Sequence, residues 1–567
     1  MFDIRTSELL RAAPNLPDLD AQQIPQMLTR HYAELVSARL KGEDDAASEE
    51  ETWSLDRIAD AYEIVASIEE DPELRRAAAF VAGTAQQIIA RRSSAALETD
   101  YTTPISRDGV DPAVSAAVLF LGAEQYADAY EAGASFPRSR GPFEIRILGD
   151  HIRDLVQGRL TTILDRANRW RTDAPIIGTI QTRAFRSLAS ALIEGIERLA
   201  ANLMAVEVPE ATPERFATAQ DAFRKVIELC SNVEQAGEEM LGGELRTAYA
   251  GPAHLASMLL SASDAIDQAA LAKLTPPDGA EAGFWQRWLT FRAEDAPYVW
   301  RNHREAIRQG FYQTGNSAVL VLPTGGGKTT ISVLKIAATL ARGKKVVFLA
   351  PTHALVEQLT DDLQKMFPTD KFGLEVSNDY DSLLLEEAQL QDIEVMTPER
   401  CLAMLSYSPT SFQKVGLLVF DECHLLSAES GKIGRALDGM LCLLAFRAAV
   451  PEADMLFLSA MLKNGPEFSE WIEKLTGRRC LAVDLLWKPS RQARGVVTYE
   501  ESEIAQAVAQ AKAVQRAKNV QEKKVAKGLR AGAEREITAQ PYVVWGLQHN
   551  WKMLNAFMVY GITRVNV

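Results

Sequence analysis

The stretch VLVLPTGGGKTT, residues 319–330, decides the fold of the chain around it. Its first four residues are an apolar run typical of a buried strand. Apolar residues then recur at helical spacing, at Ile331, Leu334, Ala337, Ala338 and Leu340. The three glycines therefore lie between a strand and a helix, which disfavours a simple glycine turn. Glycines let the backbone wrap closely around an anion, and the positive end of the helix dipole adds to the attraction.

This loop predicts a phosphate site. Lys328 is expected to reach the β and γ phosphates of a nucleotide, and the Thr329 hydroxyl to ligate Mg²⁺. The strict pattern G-x-x-x-x-G-K-[ST] is not met, because Leu322 occupies the position of its first glycine. The predicted cofactors are ATP and Mg²⁺, and the predicted cofactor-binding residues of the loop are Thr324, Gly325, Gly326, Gly327, Lys328, Thr329 and Thr330.

Length and composition limit the class of protein. A chain of 567 residues is too long for one core and suggests about three domains. Its 47% hydrophobic and 24% charged residues are those of an ordinary globular protein. The net charge of −15 argues against a surface that binds polyanions everywhere, so any nucleic-acid contact must be built locally.

The cysteines and the apolar runs predict a cytoplasmic protein without a membrane partner. Five widely spaced cysteines fit reduced thiols and give no metal or disulfide pattern. No apolar run approaches the roughly 18 residues of a membrane span, and the first residues lack the layout of a signal peptide.

The chain divides into three predicted regions. Residues 1–283 have helical patterning broken at Pro, Gly and Asp clusters, and are predicted to be an all-helical accessory domain that binds a protein partner. In residues 284–485, short β-rich runs alternate with helical segments. This alternation predicts βαβ units and a doubly wound parallel sheet of α/β class. Ligands bind such sheets at the carboxyl ends of the strands.

A second polar cluster, DECH at residues 421–424, follows the apolar run GLLVF. A carboxylate at the end of a buried strand is costly without a partner, and Mg²⁺ bound to ATP is the natural one for Asp421. Glu422 is placed to orient or deprotonate an attacking water. The alternative is a turn that happens to carry two acids. We predict Lys328, Asp421 and Glu422 as catalytic residues, with Thr329 and Asp421 on the metal.

The motifs at the strand ends resemble those of superfamily 2 DExH-box helicases, in order and in spacing. They are PTGGGKT, APTHALVEQ (350–358), TPER (397–400), DECH and SAM (459–461). The resemblance implies a RecA-like P-loop NTPase fold. WKPSRQARGVVTY is similar to the crossing between two RecA-like domains in the Ski2-like branch. A large helical region before such a core also resembles bacterial antiphage helicases of the Hachiman type.

The resemblance implies further roles residue by residue. The positions that line the nucleic-acid strand in the family, mainly at phosphates and sugars, match Thr352, His353, Thr397, Pro398, Glu399 and Arg400. Phosphate contacts hold any sequence, as a translocating motor must. A solvated surface arginine is the alternative for Arg400. Residues that couple hydrolysis to strand movement are predicted at Ser459, Ala460 and His424.

The sequence departs from the family pattern at three positions. Met461 stands where a threonine is usual, and it cannot donate that hydroxyl. His303, in VWRNHREAI, occupies the point at which an adenine-contacting glutamine is expected. A histidine can still hydrogen-bond and stack on a base, or it can be a packed residue. His353 stands where an arginine is common.

Such helicases hydrolyse ATP between two RecA-like domains, and the second domain supplies arginine fingers from a Q-x-x-G-R-x-G-R-like motif. This sequence has no such motif. Because an arginine finger contributes roughly 10³ to 10⁵ in rate, we expect the chain to bind ATP but to turn it over slowly. Residues 486–567 are predicted to be an incomplete start of the second domain or a helical insertion. Its remainder is then truncated from this sequence or supplied by another chain.

Two features of this last region are open to interpretation. The basic tract at residues 503–536 is a solvated helix face or coiled-coil arm, or a surface that grips nucleic acid. Trp545 and Trp551 are interpreted as the start of a core.

We therefore expect an ATP-dependent helicase or translocase that moves along single-stranded DNA or RNA. The alternative is an ATP-gated binding or scaffold subunit that recruits a partner without efficient hydrolysis. Glu422 discriminates between the two functions, because a nucleotide sensor has little need for a water-activating carboxylate.

Overall fold

The structure of the protein is a computed structural model. It describes residues 4–41, 53–96, 101–136, 138–139, 141–167, 169–170, 178–206, 216–232, 246–247, 249–323, 325–378, 390–426, 433–460, 462, 464–484 and 494–499, and scattered residues between 502 and 566. Thr324, Met461 and Trp551 lie outside the described residues, as does most of the basic tract.

The first half of the chain is built from helices. They are α1 (Ile4–Arg11), α2 (Ile24–Lys41), α3 (Leu55–Ile68), α4 (Pro72–Ala96), α5 (Pro112–Gly122), α6 (Tyr126–Ala134), α7 (Phe143–Val156), α8 (Leu160–Ala167), α9 (Ile180–Leu203), α10 (Ala219–Cys230) and α11 (Ala250–Gln268). Two short strand pairs qualify the all-helical prediction: Tyr101–Thr102 pairs with Arg138–Ser139, and Ser231–Asn232 with Arg246–Thr247. None of the helices in the described residues is long and apolar enough to cross a membrane.

The second half contains a seven-stranded sheet in which every neighbouring pair is parallel. Its strands are labelled β1 (Ser317–Val321), β2 (Lys345–Leu349), β3 (Val376–Ser377), β4 (Ile393–Met396), β5 (Val415–Phe420), β6 (Asp454–Ser459) and β7 (Cys480–Asp484). Their spatial order is β7-β1-β6-β5-β2-β4-β3. The predicted α/β class, a parallel sheet preceded by a helical region, is confirmed.

Helices cover both faces of this sheet. They are α12 (Ala282–Asp295), α13 (Arg301–Arg308), α14 (Lys328–Leu340), α15 (His353–Met366), α16 (Thr369–Phe372), α17 (Pro398–Tyr407), α18 (Ile433–Ala449) and α19 (Gly465–Thr476). Burial on both faces explains why the strands are continuous apolar runs and do not alternate with polar residues.

Alternate residues of the longer strands enter two different apolar cores. Leu320 and Leu456 belong to a core that extends without interruption into the helical half. Val319 and Phe457 belong to a second core that includes residues of α17, α18 and α19. Since one core is shared, the helical half packs as a continuation of one face of the sheet. The predicted boundary at residues 283 and 284 stays a prediction.

The described parts of residues 486–567 are strands, apart from short helical pieces between 502 and 513. Arg494–Tyr499 pairs with Pro541–Leu547, which in turn pairs with Phe557–Val559, both antiparallel. Thr538–Ala539 pairs with Val565–Asn566. Trp545 lies within this small sheet, opposite Val496.

Candidate nucleotide and nucleic-acid site

The strand order brings the predicted motifs side by side along the carboxyl edge of the sheet. The adjacent ends of β1, β6, β5, β2 and β4 lead into the phosphate loop, SAM, DECH, PTH and TPER respectively. Backbone hydrogen bonds continue beyond two of these strands: the Leu322 N–H donates to Ser459 O at 3.1 Å, and the Asp421 N–H to Leu349 O at 2.9 Å. The phosphate loop and the residues predicted to contact nucleic acid thus lie toward opposite ends of the carboxyl edge.

The glycine loop has the backbone that its sequence predicts. Gly325 and Gly327 both have φ near +80°, in the left-handed region that disfavours side chains. Gly327 is the N-cap of α14, so the first turn of that helix is formed by Lys328, Thr329 and Thr330. The backbone N–H groups of this turn have no partner within the helix and are free to bind an anion.

The two acids after β5 are held in an unfavourable arrangement. Burial, and then the neighbouring Glu422 charge, raise the pKa of Asp421 above its ordinary value. Glu422 has φ of +50°, which is uncommon for a residue with a side chain, and its N–H donates to Asp421 Oδ1 at 2.9 Å. A buried aspartate with a raised pKa beside a residue with strained backbone is typical of a functional site.

Polar contacts link the phosphate loop to the end of β6. Lys328 Nζ lies 3.2 Å from Glu422 Oε1, and the other carboxylate oxygen lies 3.1 Å from His424 Nδ1. His424 Nδ1 is in turn 3.4 Å from Ser459 Oγ. Of the predicted coupling residues, His424 and Ser459 are therefore in contact with each other, and Ala460 follows Ser459 directly. The role of these residues stays a prediction.

The residues present suit Mg²⁺ that arrives with a nucleotide. Mg²⁺ is usually bound through one or two carboxylates together with phosphates and water. Within the described parts of the chain, no three His, Cys, Asp or Glu side chains gather as a metal site. The pKa of Asp421 stays raised although the nearby Lys328 acts to lower it, and a cation shared with a phosphate would supply the further positive charge that the ionised carboxylate needs.

The side chain of His303 is buried rather than exposed. Its side chain is only 2% exposed, stacks on Trp300 with ring centroids 5.1 Å apart, and has Nε2 at 3.3 Å from Gly326 O. Burial lowers the pKa of His303 to about 4, so the ring is neutral near pH 7. In this structure the residue therefore packs beneath the phosphate loop, and the geometry gives the predicted adenine contact no support.

The predicted nucleic-acid residues divide into an exposed and a buried group. Thr352 and His353 are exposed at the start of α15, where the Thr352 hydroxyl accepts from the Leu355 N–H at 3.4 Å. Thr397, Pro398 and Arg400, in contrast, are all buried at the start of α17, and only Glu399 is exposed. Arg400 is 7% exposed, which contradicts the alternative of a solvated surface arginine and leaves little of its guanidinium accessible to a phosphate.

The sequence patterns did not single out Asn302. Its Nδ2 donates to Gly326 O at 3.1 Å, beside His303, and its Oδ1 accepts from the His303 N–H. The residue lies in a short stretch of charged residues, and a contact formed across the fold leaves no periodic signal in the sequence.

Residues 300–467 match the family model described as DEAD/DEAH box helicase. The ATP-dependent DNA helicase Hel308 of Thermoplasma acidophilum is 27% identical over 197 residues, which are 34% of this chain and 28% of that protein. The Hachiman protein HamB of Bacillus cereus is 25% identical over 216 residues, 36% of this chain and 18% of that protein. The match thus spans less than a third of either relative's length.

A solved structure is also similar. The DUF1998 helicase MrfA bound to DNA is 21% identical, with a TM-score of 0.30 over 39% of this chain and 31% of that chain.

Proposed function

We propose, from the premise that residues 300–467 are a DEAD/DEAH box helicase domain of the Ski2-like type, that this chain hydrolyses ATP to move along single-stranded DNA. DNA is preferred over RNA because the Hel308 relatives are described as DNA helicases. The likeness to the Hachiman protein HamB extends the proposal to antiviral defence, with the helical half binding a protein partner.

The observation that carries the proposal is the contact series from Lys328 through Glu422 and His424 to Ser459. It joins the predicted phosphate loop to the end of β6, with distances of 3.2, 3.1 and 3.4 Å. A chain that only stored a nucleotide would not need an acid positioned between the phosphate-binding lysine and a second polar pair.

The residues of the site divide the chemistry between them. The N–H groups at the start of α14 and the Lys328 ammonium bind the phosphates, which requires Lys328 to exchange its contact with Glu422 for a phosphate oxygen. Thr329 and Asp421 would hold Mg²⁺, and the bound cation would neutralise charge on the phosphates. Glu422, once released, orients the attacking water and accepts its proton. When Glu422 moves, its contact with His424 changes, and through His424 so does the contact with Ser459.

The proposed path of the single-stranded nucleic acid follows the carboxyl ends of β2 and β4. Thr352 and His353 provide the exposed contacts with the nucleic acid. Thr397, Pro398 and Arg400 are buried and support the start of α17. Helix N-termini such as those of α15 and α17 favour phosphate contacts through their free N–H groups. Such contacts do not depend on sequence.

The test is ATP turnover by the 567-residue chain, with and without single-stranded DNA or RNA, compared with Glu422→Gln. We expect slow turnover that DNA stimulates, and a loss of about 10²- to 10⁴-fold in the variant. The exposed Glu467 at the start of α19 provides a control, since Glu467→Gln should behave like the original chain. Turnover equal in Glu422→Gln and wild type contradicts the catalytic assignment. Tight nucleotide binding with no turnover under any condition favours the ATP-gated scaffold instead.

A further inference from the structure

The segment that precedes α13 is attached to the helical half. The Val299 N–H donates to Ala269 O at 2.7 Å. Tyr298 stacks on Tyr126 with ring centroids 5.0 Å apart, and its hydroxyl donates to Leu155 O at 2.7 Å. The start of α13 is therefore fixed by three different parts of the helical half.

A buried ion pair extends this attachment into α13 itself. Arg304 Nη2 lies 2.6 Å from Glu124 Oε2, and the two side chains are only 9% and 11% exposed. Glu124 has φ of +60°, so its backbone is held in an uncommon conformation next to α6. Arg304 Nε and Nη1 have no hydrogen-bond partner within the described parts of the chain. Loss of Glu124 would leave a buried guanidinium without its compensating charge.

The residues immediately before Arg304 hold the phosphate loop. Asn302 Nδ2 and His303 Nε2 lie 3.1 and 3.3 Å from Gly326 O. A Cβ at Gly327 would lie only 2.7 Å from ring atoms of His303 and Trp300, so the loop and α13 are in close contact. A single turn of helix thus joins the helical half on one side and the phosphate loop on the other.

We propose that the helical half positions the phosphate loop through α13, with the Arg304–Glu124 pair holding the helix and Asn302 and His303 holding the Gly326 carbonyl. The physical reason lies in the peptide unit between Gly326 and Gly327. In a trans peptide the C=O and the N–H point in opposite directions. Fixing the carbonyl toward α13 therefore aims the Gly327 N–H away from α13, toward the side at which a phosphate would bind.

These four are positioning residues, and the inference rests on the proposed function because nucleotide affinity is the property they change. The probe is an N-methylanthraniloyl derivative of ATP with Mg²⁺, titrated into the full chain by fluorescence. Glu124→Gln keeps the shape of the side chain but removes its charge, and we expect it to weaken the Kd about 10-fold. Arg304→Met should have a similar effect, and Arg304→Lys, which keeps the charge, should restore most of the affinity.

Two further measurements separate positioning from general destabilisation. Hydrogen exchange of the amides of residues 325–330 should accelerate in Glu124→Gln. In a double-mutant cycle, Asn302→Ala should add less to the loss of affinity in Glu124→Gln than it costs alone, because both changes act on one contact path. The matched control is Glu144→Gln, which breaks an ion pair to Arg186 of 2.6 Å in the helical half, away from α13.

The outcomes discriminate. A Kd unchanged in a folded Glu124→Gln chain overturns the inference, as does an equal loss of affinity in Glu144→Gln. If Glu124→Gln does not fold, the same comparison is made with Asn302→Ala, whose effect on affinity must then exceed that of Glu144→Gln. A wild-type chain that does not bind the probe contradicts the proposed function as well, so the two failures are distinguishable.

Discussion

At the amino edge and at the carboxyl edge of the parallel sheet, a lysine of α14 lies near an acidic side chain. The surroundings of the two lysines differ. At the amino edge, Lys335 is 1% exposed and its Nζ donates to the carbonyl oxygens of Phe311, Gln313 and Asn316 at 3.1, 3.4 and 2.6 Å. The Asp454 carboxylate lies 3.7 Å from the same ammonium, and also bonds Arg478. Every donor of Lys335 therefore has an acceptor.

At the carboxyl edge the balance of charge is different. Lys328 lies near two adjacent acids and contacts only one of them, Glu422. The pKa of Asp421 is raised by burial and by Glu422, and Glu422 itself has a left-handed backbone. The comparison teaches that the buried lysine of the amino edge has its hydrogen bonds satisfied within the fold, whereas the carboxyl edge has polar groups that a charged ligand could engage.

The strongest test of this difference is Lys328→Ala. We expect turnover of ATP to fall by about 10³-fold, equivalent to about 4 kcal/mol, because the phosphates lose their principal cation. The melting temperature should hardly change, since Lys328 is not needed to complete the fold. The measurements are steady-state turnover and thermal unfolding of the same preparation. If the melting temperature of Lys328→Ala fell as far as that of a variant changed at Lys335, the proposed difference between the two edges would be contradicted.

The reciprocal change is Lys335→Met. It leaves three carbonyl oxygens and part of the Asp454 charge buried without a partner, so the free energy of unfolding should fall by about 4 kcal/mol. Urea denaturation followed by tryptophan fluorescence measures the loss. Lys365→Met is the control, because the Lys365 side chain is 77% exposed and its ion pair with Asp362 is long, at 3.7 Å. Equal midpoints for the two variants would contradict the structural role of Lys335.

Much of this contrast could be predicted from the sequence, because strand ends have clear signals. The apolar runs, the glycine loop and DECH predicted a parallel sheet with polar residues at its carboxyl edge. The buried state of Lys335 could not be predicted, since helical periodicity treats a lysine as exposed. Arg400 and His303 were likewise placed by motif order, whereas their burial depends on contacts across the fold. The Arg304–Glu124 pair joins residues far apart in sequence, and ion pairs leave no local pattern.

Acidification should lower the free energy of unfolding through His303, which packs beneath the phosphate loop. The pKa of His303 is about 4 in the folded protein, against about 6.5 when unfolded, so between these values the unfolded state binds more protons. The free energy of unfolding should therefore fall by about 3 kcal/mol as the pH drops from about 6.5 to about 4, and this group adds no further loss below that range. Denaturation across this range in wild type and His303→Gln checks the prediction, and identical pH dependences would contradict it.

The smallest expected effect is a gain in stability from Asp421→Asn. A folded pKa above the unfolded value means that the ionised Asp421 destabilises the fold at neutral pH, so the neutral amide should raise the free energy of unfolding. This gain should shrink as the pH falls through the folded pKa and should vanish below the unfolded pKa, where the acid is neutral in both states. Thermal unfolding without nucleotide measures it, and turnover that depends on Mg²⁺ should be lost. A decrease in melting temperature at neutral pH would show that Asp421 is already compensated.

The attachment of α13 to both halves also has a consequence for recombination between related chains. The Pro/Gly-containing linker near residue 283 looks like the natural place to join a foreign helical region to this sheet. A chimera joined there would keep Arg304 and lose Glu124, its partner on the other side of the junction. A junction after Arg308 would transfer the ion pair intact, but it would separate Asn302 and His303 from the glycine loop they contact. Modular exchange of the two halves therefore requires compatible residues at positions 124 and 304 together.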